Sequence, residues 1–441
     1  MLTTLKNAFK IKDIRKKLFF TFLMMIVIRI GSQLPVPGID HNQFALFFSE
    51  QTKDSLSFFD AITGGSFLNM SVLALNINPY ITASIIIQLL TIAIPKLEEM
   101  QRDGEDGRKK LIAYTRYATV ILAVIQAGAM AYGFGNQGII EGNSFLNKIL
   151  VVVALTAGSA FLMWIGERIT ENGVGNGISI VLTINIISRI PSDLGSLFEQ
   201  FVFNNQNAPA KAVLAAAIII AIIVLMVVLV IILNDGTRKI PVQYANKLAG
   251  RSMVGGNSTH IPLKINTAGV IPIIFAQSIL QLPIIICSFF SVNTGDFWGN
   301  ILKGMNSDNW CKFNKTEIVY SIGLIVYILL IVFFAYFYTS ITFNPMMVSD
   351  NMKKSGGFIP GIRPGKPTTD YLTKVLRYII FIGAVGLVIV SFLPIFFNGV
   401  FGAKISFGGT SLIIIVSVIL ETLQQVESMM LVRNYKGFLD N

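Results

Sequence analysis

Ala212 to Leu233 is a run of 22 residues without one polar side chain. As a helix rising 1.5 Å per residue it reaches about 33 Å, enough to cross the roughly 30 Å hydrocarbon core of a bilayer. Lipid offers the backbone no hydrogen-bond partner, so only helices and closed barrels can span it. The run is continuous rather than alternating, which excludes a barrel. The rest of the chain agrees. Only 13% of its 441 residues are charged, against about 25% in a soluble domain. An all-α polytopic membrane protein follows.

Ten apolar segments predict ten transmembrane helices, at about 18–34, 72–94, 112–132, 149–168, 174–190, 212–233, 266–289, 317–339, 373–396 and 407–430. The fifth is short and rich in glycine, so its start is the least defined. Met1 to Lys17 is basic and no small-residue cleavage site precedes Pro35. The first segment therefore reads as a spanning helix rather than a cleaved signal. With ten spans, the termini and the even-numbered connections hold 26 Lys and Arg and the odd-numbered connections hold 8. Positive loops stay cytoplasmic. The split therefore predicts both termini in the cytoplasm, and the net charge of +11 is first of all topogenic.

The second span reads Pro79-x-Ile81-x-Ala83-x4-Gln88-Leu89 and the seventh Pro272-x-Ile274-x-Ala276-x4-Gln281-Leu282. They occupy the same place in two sets of five and run in opposite directions. Either this is coincidence in apolar sequence or it is an inverted-topology repeat, whose halves face each other across a path. The repeat reading divides the chain into halves at about 1–195 and 206–430, with a cytoplasmic tail at 431–441. Pro79 and Pro272 are expected to kink or break their helices. The connection between Asp40 and Asn69 is too apolar for a solvated loop and too short to span. It is either re-entrant, which requires a cavity, or an amphipathic helix at the outer interface.

Chemistry-bearing groups are scarce. Arg29 lies near the outer end of the first span, and Glu421 and Glu427 towards the cytoplasmic end of the last. The other mid-span polar residues are uncharged, among them Thr82, Gln88, Asn185, Asn266 and Gln281. No nucleotide loop, metal-ligand spacing or nucleophile–base pair is present, so neither an enzyme nor a metal or cofactor is expected. Cys287 and Cys311 are too few for a disulfide framework. The connections 234–264 and 340–372 are long, basic and rich in turn formers. Thr237-Arg238-Lys239-Ile240-Pro241 and Gly361-Ile362-Arg363-Pro364-Gly365 suggest docking tips held by stiff turns. On these grounds alone, channel and transporter stand level.

Particular motifs make the chain resemble the SecY family of protein-conducting channels over almost its whole length. They are Gln33-Leu34-Pro35-Val36-Pro37-Gly38, Asn78-Pro79-Tyr80-Ile81-Thr82-Ala83-Ser84-Ile85-Ile86-Ile87-Gln88-Leu89-Leu90 and Gly175-Asn176-Gly177-Ile178-Ser179. Further along stand Ser258-Thr259-His260-Ile261-Pro262-Leu263-Lys264-Ile265-Asn266, Ala268-Gly269-Val270-Ile271-Pro272, Lys353-Lys354-Ser355-Gly356 and Gly408-Gly409-Thr410-Ser411-Leu412. Met346-Met347-Val348 stand where the family has a more polar stretch.

The resemblance implies a passive hourglass pore in the bacterial plasma membrane. Unfolded polypeptides cross it, or leave it sideways into lipid. It implies a waist ring of Ile81, Ile85, Ile178, Leu182, Ile274 and Ile414, an apolar constriction that excludes water and ions. It implies a plug helix at about 58–70, including Phe58, Phe59, Gly64, Gly65, Phe67 and Leu68. A lateral gate is implied between the second and third spans and the seventh and eighth, with Gln88 and Asn266 as its polar residues. Arg238, Lys239, Arg251 and Arg363 are implied to dock the SecA ATPase or the ribosome, through ribosomal RNA and proteins. SecE-like and SecG-like small subunits, signal peptides, nascent chains and anionic lipids complete the implied partners.

Overall fold

The computed structural model describes residues 8–40, 43–44, 63–140, 144–201, 209–244, 247–249, 252–254, 258–288, 301, 303–306, 310–311, 321–401 and 409–436. The expected plug residues Phe58 and Phe59 and the expected docking residue Arg251 lie outside them, as do 437–441 of the tail.

Within these residues ten apolar helices form the body: α1 (Lys12–Gly31), α2 (Asn78–Ala93), α4 (Glu105–Asn136), α5 (Phe145–Asn172), α6 (Gly177–Phe201), α7 (Pro209–Asp235), α8 (Ile271–Ser288), α9 (Ile322–Thr342), α11 (Lys366–Phe401) and α12 (Gly409–Lys436). Two short helices, α3 (Pro95–Arg102) and α10 (Pro345–Lys354), extend α2 and α9. Among the described residues, six helical segments are long and apolar enough to span by themselves. α1 starts in a basic stretch, and α2, α6 and α8 carry short apolar runs. The 16 residues of α2 reach about 24 Å, short of the full hydrocarbon depth.

The shortness has a local cause. Runs of turns at 72–77 and 265–270 precede α2 and α8. Each holds a left-handed residue three positions before its proline: Asn76 at φ 54° and Gly269 at φ 64°. Of the two outcomes expected, kink or break, neither Pro79 nor Pro272 kinks a helix interior; the apolar segments are instead broken just ahead of them, at 72–77 and 265–270. Each proline stands in the first turn of its helix, where the missing N–H has no intrahelical partner to lose. The bend on the second span comes later. Ile94 is extended ahead of Pro95, as a residue before proline prefers, and α2 and α3 meet at 107°.

On one side of the bundle, α8 packs against α2, α4 and α9. On the other, α6 packs against α7 and α12. α1, α2, α4 and α5 contact one another or α6, and α7, α9, α11 and α12 form a linked set with α8. Small residues permit the closest approaches. A Cβ on Gly158 of α5 would collide with the Val72 carbonyl, and one on Gly177 at the start of α6 with that of Gly166.

The two long basic loops are not all turn. They hold β1 (Thr237–Tyr244), β2 (Lys247–Ala249), β3 (Ser252–Val254), β4 (Ser258–Lys264) and β5 (Gly357–Phe358). β2 and β3 pair as a small hairpin, and the other three form an antiparallel sheet in the order β4-β1-β5. The body is all-α, and this sheet sits at the end of it that carries the basic connections.

Candidate functional site

The expected waist residues all belong to the apolar interior of the bundle. Ile81, Ile85, Leu182 and Ile414 are buried in one apolar cluster, and Ile178 and Ile274 are half-buried against it. They arrive from four helices, α2, α6, α8 and α12. Ile81 and Ile274 each lie two residues past the helix-starting proline, so the turn-and-proline device sets both at the same height on their helices. The i, i+4 pairs Ile81/Ile85 and Ile178/Leu182 each share one helix face.

A cavity of about 230 Å³, lined by both polar and apolar groups, adjoins this cluster on the sheet side. Its walls include Asn176 just before α6, Ser179 of α6, Asn234 of α7, Tyr338 of α9 and Ser417 and Glu421 of α12. A hydrogen-bonded ladder crosses it. Asn266 Nδ2 donates to Asn234 Oδ1 at 2.8 Å, and Asn234 Nδ2 donates to Ser417 Oγ at 2.6 Å. Lys264 Nζ donates to Gln424 at 2.8 Å beside it. The ladder fixes the turn run before α8 to α7 and α12. Asn266, expected as a gate residue, is thus bonded among the last five spans. Gln88 donates to Ser84 on its own helix at 3.4 Å. These two polar residues find their partners on their own sides of the α2–α8 contact, not in each other.

On the other side of the cluster lies the segment expected to plug the pore. Of the expected helix only Thr63 is helical among the described residues, and 64–70 is a chain of turns. Gly64 (φ 69°) and Gly65 (φ 84°) explain this: the left-handed region suits glycine and interrupts a helix. Gly64 sits so close to α6 that a Cβ there would stand 2.5 Å from the Asn185 carbonyl oxygen. Phe67 is buried and meets Phe44 edge-on at 6.0 Å, while Leu68 is half-buried. Asn185 Nδ2 donates to Asn76 Oδ1 at 3.0 Å, a buried pair that joins α6 to the turns before α2. Single-sequence reading has no means to match these two asparagines, 109 residues apart.

The docking residues divide. Arg363 is exposed on a turn between Gly361 (φ 83°) and Gly365 (φ 102°), and Thr368 Oγ1 closes the turn on its carbonyl at 2.8 Å. That matches the expected tip. Arg238 and Lys239 are exposed but stand on β1, opposite Leu263 and Pro262 of β4. They lie at the base of the β1–β4 ribbon, next to the end of α7, and not on a turn. The alternation Ile240-x-Val242 against Ile261-x-Leu263 is the legible signal for strands. Ile240, Val242 and Leu263 pack under the sheet with Met352 of α10 and Leu372 of α11. Because β5 pairs with β1, the two basic loops are one platform.

Three comparisons bear on the chain. The family model described as SecY matches residues 71–423. The protein translocase subunit SecY of Bacillus subtilis (strain 168) is 44% identical over 452 residues, covering 100% of both chains. That of Streptomyces galbus is 42% identical over 453 residues, again covering both completely. A solved structure described as a protein-conducting channel aligns with TM-score 0.64 at 18% identity, covering 94% of this chain and 92% of that one. A channel whose plug domain is said to stabilise the closed state aligns with TM-score 0.65 at 18% identity and the same coverage. Sec61 from a canine ribosome–channel complex aligns with TM-score 0.60 at 17% identity, covering 94% of this chain and 92% of that one. At such identities the structures speak for the fold.

Proposed function

This chain belongs to the SecY family, and from that premise we propose that it is the channel subunit through which unfolded polypeptides cross the membrane. The observation that carries the mechanism is the apolar cluster itself. Six aliphatic side chains from four helices belong to it or pack against it, with a cavity on one side and the Gly64–Met70 turns on the other. An apolar constriction keeps out water and ions by dewetting. It also offers a moving chain no fixed charge to bind, so passage leaves no deep trap. The energy for movement comes from a bound partner, and the chain itself is a passive pore rather than an enzyme.

In this reading Ile81, Ile85, Ile178, Leu182, Ile274 and Ile414 form the waist. The segment that includes Gly64, Gly65, Phe67 and Leu68 plugs it. Two inverted halves, 1–195 and 206–430, meet at the α2/α4–α8 seam. That seam parts as a lateral gate, with Gln88 and Asn266 flanking it. A segment apolar enough to prefer lipid leaves there. A charge at its centre costs about 2.5–3.5 kcal/mol on insertion scales and biases it to stay in the aqueous path. The sheet platform, with Arg238, Lys239 and Arg363, receives the ribosome or SecA, and phosphate contacts there weaken as salt rises. SecE-like and SecG-like subunits, signal peptides and anionic lipids are the further proposed partners. The proposed place is the bacterial plasma membrane with both termini cytoplasmic, which the 26-to-8 division of Lys and Arg supports.

The test is cross-linking to a stalled chain. Cysteine at 274 or 81 should form a disulfide with a cysteine in the middle of a precursor halted in transit through reconstituted complex. Precursor that crosses without ever reaching either position would refute the waist.

A further inference from the structure

We propose that Arg29 is the residue that holds the plug shut, by gripping the backbone carbonyl of Gly64. The inference rests on reading the Gly64–Met70 turns as the plug. Arg29 stands in the last turn of α1, where a long cationic side chain can reach out to the interface, yet here it turns into the protein. Its Nη1 donates to the Gly64 oxygen at 3.3 Å across 35 residues of sequence. Ser188 Oγ of α6 lies 3.4 Å from the same oxygen but 2.6 Å from the Asn185 carbonyl. A hydroxyl has one proton to give, and the shorter bond takes it. The Gly64 carbonyl is therefore left to the guanidinium, a charge-assisted donor.

The two ends of the segment are held by different means. At the far end the hold is backbone: Val36 N donates to Met70 O at 3.0 Å, Val72 N to Leu34 O at 2.9 Å, and Pro35 and Ser71 form a bridge. At the near end Gly64 lies against Asn185 and Ser188 at a distance no Cβ allows, so its contact with α6 is made by bare backbone. The Arg29 bond ties that backbone to a second helix. The described segment is thus held by main-chain pairing at Met70–Val72, by Phe67 packed on Phe44 in its middle, and by the Arg29 bond at Gly64. Of these holds only the Arg29 bond is a charged side chain from another helix gripping the segment's backbone, so it is the one whose release weakens the seal while the main-chain pairing stays.

The experiment uses the full chain with its co-purifying subunits, reconstituted in planar bilayers without precursor. Arg29→Ala should raise the resting ion conductance at least about tenfold, since one charge-assisted bond is lost. Arg29→Lys, which keeps a charged donor, should restore most of the seal. A resting conductance of Arg29→Ala equal to that of the unaltered channel overturns the Arg29 hold. If Arg29→Ala yields no assembled complex, Gly64→Ala probes the same contact from the other side, and an unchanged seal there overturns it equally. A separate arm tests the plug reading. A Cβ on Gly65 would come 4.0 Å from the side chain of Arg189, so Gly65→Cys with Arg189→Cys can be joined by a thiol cross-linker. Joining should stop export relative to the same variant before joining. If joined channels export normally, the plug reading fails. If they are blocked while Arg29→Ala stays sealed, only the Arg29 hold fails.

Discussion

Replacing Asn266 with Ala should loosen the turn run before α8 without disturbing the waist, and the structure sets the size of the effect. The substitution removes the 2.8 Å bond to Asn234 Oδ1 and leaves that oxygen without its donor. A lost bond with a stranded buried acceptor costs about 1–3 kcal/mol. Asn266 is only 6% exposed, but Asn234 is half-buried on the wall of a 230 Å³ cavity. Water can reach Asn234 there, so the cost falls at about 1–1.5 kcal/mol. Asn234→Ala breaks both rungs of the ladder, including the 2.6 Å bond to Ser417, and should cost about 2 kcal/mol. Once Asn234 is gone, Asn266→Ala should add little. The double variant should then be less destabilised than the sum of the singles by about 1 kcal/mol. Unfolding by SDS titration in mixed micelles, run on all four combinations, measures this. Additivity within about 0.3–0.5 kcal/mol, the usual behaviour of residues that share no partner, would refute the ladder.

Further outcomes follow from other contacts. Ile81→Gly with Ile274→Gly should raise ion leak through resting channels, because both remove bulk from the same cluster; unaltered conductance counts against the waist. Arg363→Glu reverses the charge on the exposed turn while leaving the turn-closing bond from Thr368 to the backbone carbonyl. It should block partner-driven export while the protein still inserts into the membrane, and normal export would remove Arg363 from docking. Arg116 Nη2 and Glu167 Oε2 join α4 to α5 at 2.8 Å. The arginine side chain is 47% exposed but the carboxylate it leaves behind only 16%, so Arg116→Ala should cost about 1–3 kcal/mol, and a loss under about 0.5 kcal/mol in the same titration would show that the pair contributes little.

Much of this molecule is legible in the order of its amino acids. The apolar runs determine ten helices, because lipid leaves the backbone one local way to satisfy itself, and a local constraint writes itself into consecutive residues. The repeated Pro-x-Ile template marks α2 and α8, and the two isoleucines that follow the prolines do join one apolar cluster. What tertiary structure decided was partnership across distance. Pro79 and Pro272 start helices instead of kinking them, because left-handed Asn76 and Gly269 had already ended the preceding turns. The loops at 234–264 and 340–372 became one sheet, because β5 completes the edge of β1, a pairing across more than a hundred residues. Asn266 joined Asn234 and Ser417 rather than the opposite gate wall. Arg29, legible only as an odd charge in an apolar helix, acquired a partner in Gly64. Hydrogen bonds of this kind leave no periodicity in the chain; they exist only once separate helices are packed side by side.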